Sequence, residues 1–281
     1  MKTITTKGIP NVGEDVTMGL AIALVLLLLC VASVFLFSGH YGWFPPLVST
    51  FTDYDKQFTL TLIVVAVVFI LAQLALGLFV WRYRDRGNNQ AKHIEGNNTF
   101  EWVWTSLTFV IFIGLGILGQ RMWADLHFTE PPADAMVVEV TAQQFQWNFR
   151  YSGPDGQFGH TDPKYVDESA LNFIGLDPHD PAGKDDIMTM NRMVVPVNQP
   201  VKVILHSKDV THSFFVPWFR IKQDAVPGMT ITIHFTATKT GEYEIPCAEL
   251  CGLGHYKMRG VLDVVTPQEF QDWLKKQATG Q

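Results

Sequence analysis

The residues with the most chemical capacity lie in one short stretch, Cys247-Ala-Glu-Leu-Cys251-Gly-Leu-Gly-His255-Tyr-Lys-Met258. It puts two thiols, an imidazole and a thioether on one segment. A second imidazole, His212, lies upstream in Asp209-Val-Thr-His-Ser-Phe-Phe-Val-Pro217. Soft sulfur donors combined with imidazole select copper over hard cations. The second cysteine widens the chemistry, because two bridging thiolates can hold two copper ions close enough to share one electron. Parts of the same set serve other ends. A C-x3-C pair outside a membrane can close a disulfide, and Cys2His2 suits zinc, which has no need of the thioether. The histidines at 40, 93, 127, 160, 179, 206 and 234 lack such company and read as surface or packing residues. The third cysteine, Cys30, lies in an apolar run, so the cysteines are too few for a disulfide framework. With no C-x-x-C-H, no c-type haem is attached to this chain.

The elements that must position these ligands follow from the rest of the chain. Its 281 residues allow one soluble domain plus membrane anchors. A net charge of −6 excludes nucleic-acid binding as a main role, because nothing would neutralise phosphates, and favours a basic protein partner. The hydrophobic residues, 47% of the total, concentrate in three uncharged runs within the first 125 positions. These predict membrane helices over about 17–38, 59–81 and 102–121, each near the roughly 20 apolar residues that span hydrocarbon. The first could instead be a cleaved signal peptide, since Lys2 and Lys7 suit a charged leader. Against this, Glu14 and Asp15 directly precede the apolar stretch, and Leu29 stands before Cys30 where a lipoprotein signal wants a small residue.

Arg82, Arg84, Arg86 and Lys92 between the second and third spans place that loop on the cytoplasmic side. The N-terminus is then cytoplasmic as well, and everything after the third span is outside. The expected organisation is a transmembrane anchor over 1–125 and an extracytoplasmic domain over 126–281. In that domain Met136–Thr141, Met193–Val197, Val201–His206, Thr230–Phe235 and Gly260–Val265 are short, β-branched and separated by turn residues, which predicts a β-sandwich or barrel. Thr266–Lys276 predicts a terminal helix with Thr266 as N-cap and Glu269 completing a capping box. The segment 152–190 is rich in Pro, Gly and Asp. It reads as a solvated acidic loop, or as an acidic docking surface for a basic electron donor.

The copper-type motif, preceded by His212-Ser-Phe-Phe-Val-Pro217 and Lys222-Gln-Asp-Ala-Val-Pro-Gly228, resembles the binuclear copper (CuA) domain of cytochrome c oxidase subunit II. The likeness extends to Asn191–Val197, to Gln144-Phe-Gln-Trp-Asn-Phe149 and to Glu101-Trp-Val-Trp-Thr105. The resemblance implies a membrane-anchored α + β chain: a transmembrane helical hairpin, here with an extra N-terminal helix, followed by a cupredoxin-like sandwich. It implies that Cys247 and Cys251 bridge two copper ions, with His212 and Met258 completing one shell and His255 and the Glu249 carbonyl the other. The Glu249 side chain would help bind magnesium at the interface with subunit I. A cytochrome c would be the donor, and haem in subunit I the acceptor, for reduction of oxygen to water coupled to proton pumping. Subunit III, membrane lipid and, through the extra helix, a larger respiratory supercomplex would be further partners, in a bacterial-type inner membrane.

By the same resemblance Glu101 lies at a proton-uptake entrance and Asp224 near the donor-docking face. Many relatives carry Trp where this chain has Phe145, the position thought to admit the electron; Trp147 or Trp218 could substitute. A quinol oxidase subunit would share the fold without the copper ligands. A nitric oxide reductase with a similar copper domain, or a copper-storage or delivery protein, would be told apart by the partner that co-purifies.

Overall fold

The computed structural model describes residues 44–83, 93 and 95–278, with scattered positions between 21 and 36. The expected first span falls largely outside the described residues; the described positions within it are helical. Two helices follow, α1 (Thr52–Arg82) and α2 (Asn98–Phe128). Each has 31 residues, or about 46 Å at 1.5 Å per residue, against about 30 Å of hydrocarbon. Both are longer at each end than the sequence reading of 59–81 and 102–121. That reading stopped at charges, Lys56, Glu101 and Arg121, but a charge ends the apolar span rather than the helix. Asp53 and Asp55 suit the positive end of α1. Asn97 caps α2, its side chain accepting from the amides of Thr99 and Phe100 at 3.0 and 3.2 Å. Near the outer end the Tyr54 hydroxyl donates to the Met122 carbonyl at 3.0 Å, joining the two helices.

The remaining residues form a cupredoxin-like sandwich. Its strands are β1 (Met136–Gln143), β2 (Gln146–Tyr151), β3 (Ile187–Met190), β4 (Arg192–Pro196), β5 (Pro200–Ser207), β6 (His212–Val216), β7 (Ile221–Ala225), β8 (Ile231–Thr236), β9 (Gly241–Pro246) and β10 (Arg259–Val265). One sheet runs β3-β2-β1-β5-β8 and another β4-β10-β9, while β6 and β7 form a separate antiparallel pair. Alternation does the sorting. In β5, Val201, Val203 and Leu205 are buried between residues that stay partly exposed. The core they join includes Trp147, Phe149, Phe214, Phe235 and Leu262, all at 0–1% exposure. Each such side chain contributes about 1.5–3 kcal/mol on burial. A bridge between Phe214 and Cys247 brings β6 against the end of β9, the junction on which the candidate ligands meet.

The sandwich is sewn to the membrane hairpin. Val48 donates its amide to the Trp218 carbonyl at 2.9 Å and accepts from Thr238 at 2.9 Å, and Thr50 donates to Thr236 at 3.2 Å. The Ser49 hydroxyl reaches the Phe219 carbonyl at 3.0 Å. Arg220, held at φ 60°, grips the Asp55 carboxylate with two nitrogens at 2.6 and 3.0 Å.

The acidic segment has its own order. Asp155, Asp162, Asp167, Asp177 and Asp180 each accept an amide hydrogen from two residues ahead, at 2.8–3.1 Å. They are Asx turns, so these carboxylates act as local backbone partners. Hydrogen bonds from the Lys164, His179 and His160 amides hold Asp162, Asp177 and Asp180, respectively, below the ordinary carboxylate range. The segment is fastened to the sheet by Arg150, which is buried. It donates to the Gly159 carbonyl at 2.7 Å and to Asp186 at 3.1 Å, and it pairs with Glu139. The terminal helix α3 (Pro267–Ala278) has the expected capping box: the Thr266 amide donates to Glu269 at 2.8 Å and the Glu269 amide to Thr266 Oγ1 at 3.3 Å.

Candidate metal centre

Two separate pieces of chain supply the ligands. His212 opens β6, Cys247 directly follows β9, and Cys251, His255 and Met258 lie on the loop between β9 and β10. The loop is folded back on itself, with the Cys247 amide donating to the Met258 carbonyl at 3.0 Å and the Ala248 amide to the Ser213 carbonyl at 3.1 Å. These backbone bonds set the side chains against one another. The sulfurs of Cys247 and Cys251 are 3.9 Å apart and unbonded, and both cysteines are free. Cys247 Sγ lies 3.9 Å from His212 Nδ1. Cys251 Sγ lies 3.7 Å from His255 Nδ1 and 3.9 Å from Met258 Sδ. The Glu249 carbonyl oxygen is 3.3 Å from Cys247 Sγ, so its main chain faces the sulfurs. Among the described residues, His212, Cys247 and Cys251 also form the group of ligand atoms within 4.8 Å of one another that could hold a metal ion.

Burial and charge shape the pair of thiols. His212 is fully buried, with Cys247, Cys251 and Met258 at 8, 3 and 2% exposure. Burial opposes a Cys247 thiolate, yet hydrogen bonding from His212 and from the main chain near Glu249 and Ser213 lowers its pKa to about 6. Burial, then the neighbouring Cys247 charge, pushes Cys251 up to about 11. The two thiols are thus pushed in opposite directions, and a cation between the sulfurs would relieve the repulsion of a second negative charge. Two thiols, a thioether, two imidazoles and one carbonyl, with His255 and Glu249 partly exposed and the rest buried, fit a pair of soft metal ions. The unbonded sulfurs argue against the disulfide, and Met258 Sδ beside Cys251 is a donor for which zinc has no use.

The other residues singled out by sequence are spread more widely. Glu101 is exposed in the first turn of α2, far along the chain from the sulfurs. Asp224 lies in β7, paired with Ser213 next to His212, and its carboxylate meets Lys222 at 3.2 Å. Trp147 is wholly buried, edge-on to His212 at 6.2 Å between ring centroids. Phe145 is 38% exposed and sits in the turn between β1 and β2, against the ligand loop. Trp218 is partly buried beside Tyr243. Two residues that contact the centre were passed over by the sequence reading, Asp209 and Gln144. The available signal was a carboxylate three positions before a candidate ligand histidine, the spacing at which it can turn back onto the ring.

Comparison with known proteins bears on both halves of the chain. Residues 136–265 match the family described as cytochrome c oxidase subunit II, periplasmic domain, and residues 48–121 match its transmembrane domain. The alternative cytochrome c oxidase subunit 2 of Bradyrhizobium diazoefficiens is 35% identical over 92% of this chain and 93% of its own. Cytochrome c oxidase subunit 2 of Thermostichus vulcanus is 32% identical over 84% of this chain and 79% of its own. Among solved structures, the periplasmic domain of subunit II of cytochrome oxidase of Bradyrhizobium japonicum is 30% identical, with a TM-score of 0.39, covering 53% of this chain and 97% of that one. A membrane hairpin and a sulfur-lined cupredoxin-like domain, each matching its counterpart, occur here in one chain: it belongs to the cytochrome c oxidase subunit II family, as a subunit of a haem–copper oxidase.

Proposed function

We propose that this chain is the electron-entry subunit of a proton-pumping cytochrome c oxidase. The observation that carries the reading is the convergence of Cys247, Cys251, His212, His255, Met258 and the Glu249 carbonyl on one buried point. Two copper ions bound there supply one-electron redox chemistry with little change in bond length per electron, because the charge is shared. The protein's part is to keep the donor set rigid and dry. Cys247 and Cys251, with His212, Met258, His255 and the Glu249 carbonyl around them, would hold the ions. Phe145, half in solvent and packed on the ligand loop, offers the aromatic step between a docked cytochrome c and the centre, with Trp147 behind it beside His212. Asp224 contributes negative charge to the docking face.

The Glu249 side chain would supply an oxygen ligand to magnesium shared with subunit I. Glu101 takes up protons at the cytoplasmic end of α2. In this reading the chain lies in a bacterial-type inner membrane with subunits I and III. Its N-terminus is cytoplasmic and its copper domain periplasmic, and residues 1–125 and 126–281 act as anchor and domain. The haem of subunit I, not this chain, meets oxygen.

The test is to purify the complex through this full-length chain, and to measure copper, haem and the electron-paramagnetic-resonance spectrum. Two coppers per chain with one mixed-valence signal, and loss of that signal in Cys251→Ser, are expected. A disulfide between Cys247 and Cys251 in the native complex, or a lack of copper there, overturns the reading.

A further inference from the structure

His212 uses only one of its ring nitrogens to face the sulfurs. Its Nδ1 is 3.9 Å from Cys247 Sγ. The opposite nitrogen, Nε2, lies 2.8 Å from Asp209 Oδ1. An ionised carboxylate only accepts hydrogen bonds, so Nε2 must carry the hydrogen, and in the neutral ring the lone pair is on Nδ1, toward the metal position. A carboxylate behind a ligand histidine is the usual way a protein fixes tautomer and ring angle. The Val210 amide also donates to Asp209 Oδ1, at 2.7 Å.

The same carboxylate does more than orient one ring. Asp209 Oδ2 accepts the Gln144 amide hydrogen at 2.7 Å. Gln144 in turn donates its side-chain Nε2 to the Cys251 carbonyl at 2.5 Å. A chain of hydrogen bonds results, from His212 through Asp209 and Gln144 to the Cys251 carbonyl, and Gln144 is the neighbour of Phe145. Among the described residues, His255 has no such carboxylate. The brace is therefore specific to one of the two imidazoles.

We infer that Asp209 is a positioning residue for the metal centre, holding His212 by Nε2 and, through Gln144, tying that ligand to the Cys251 loop and to the turn that presents Phe145. The inference rests on the copper reading given above. It has an electronic consequence as well as a mechanical one. A negative charge accepting a hydrogen bond from a ligand imidazole strengthens that ligand and favours the more positive, oxidised state. Removing it should raise the reduction potential.

The experiment uses the full chain in its purified complex. Wild type is first assayed for copper and for the mixed-valence signal; their absence would sink the copper reading itself, whatever Asp209 does. Asp209→Asn and Asp209→Ala are then compared at equal copper content. In Asp209→Ala, a rise equivalent to tenfold in the one-electron equilibrium constant, about 59 mV, is expected. The hyperfine-shifted His212 Nε2–H proton resonance should exchange faster with solvent. Asp209→Asn, which keeps an acceptor but loses the charge, should raise the potential while retaining slow exchange, and it serves if the alanine variant does not assemble. A copper-loaded Asp209→Asn with unchanged potential, or a copper-loaded Asp209→Ala with both readings as in wild type, would overturn the assignment.

Discussion

The ring of Phe145 lies directly on the main chain of Gly254: a Cβ at position 254 would fall 2.6 Å from the ring's Cγ. The exposed aromatic and the ligand loop are thus in contact with no side chain between them. Gly254→Ala must displace one or the other, at about 1–3 kcal/mol for overpacking, read as a lower melting temperature of the complex. Phe145→Ala leaves the loop room and should instead slow reduction by cytochrome c, while reduction by a small inorganic reductant keeps its rate. Equal slowing of both reductants would mean that Phe145 only props the loop.

On the proposed reading Glu249 has two roles within one residue. Its carbonyl faces Cys247 Sγ at 3.3 Å, and that contact does not depend on the side chain. Glu249→Gln should therefore preserve the copper spectrum while weakening the bound divalent cation, read as loss of a manganese signal from complexes grown with manganese. A changed copper spectrum would show that the carboxylate shapes the centre directly.

Glu101 stands one turn into α2, on the opposite side of the anchor from the sulfurs. Glu101→Gln should slow steady-state turnover and leave the rate of copper reduction by cytochrome c unaltered in stopped flow. Turnover equal to wild type would remove it from the proton route. The acid would then be only an ordinary partner of the helix dipole.

Asp186, with its side chain fully buried beside Arg150, has a pKa raised above the ordinary 3.8, because burial outweighs the Gly159 amide and the Arg150 charge. A carboxyl whose pKa is higher folded than unfolded stabilises the fold below the unfolded value, and that contribution fades as pH climbs through the folded one. Asp186→Asn should flatten this part of the pH dependence. Its melting temperature relative to wild type should be higher at pH 7 than at pH 4. A difference that stays constant between these pH values would show that Asp186 titrates normally.

How much of this could be read from sequence depended on which forces were local. β1, β4, β5, β8 and β10 overlap the β-branched segments expected to be strands. The cap of α3 followed from Thr266 and Glu269 alone. β7, with Lys222, Gln223 and Asp224 in a run of five, has poor strand propensity and exists because β6 pairs with it. β2 alternates strictly in sequence, Gln146-Trp-Asn-Phe-Arg-Tyr151, and was as legible as the others, although in the fold Asn148 and Arg150 are buried too. β9 did alternate, Glu242-Tyr-Glu-Ile245, and was overlooked. The ligands were visible because Cys, His and Met are rare and closely spaced. Asp209 could be read only through its spacing three positions before His212, and Gln144 not at all, since its contact with Asp209 spans 65 residues of sequence.

Val48–Phe51, threaded along the sandwich, and the Arg220–Asp55 grip have a consequence for distance. Electron tunnelling falls steeply with each added ångström, so a carrier on a swivelling stalk would hand over charge at erratic rates. Here no slack remains between hairpin and sandwich. On the electron-entry reading, these contacts would fix the height of the sulfurs above the lipid, and a donor would have to reach that level.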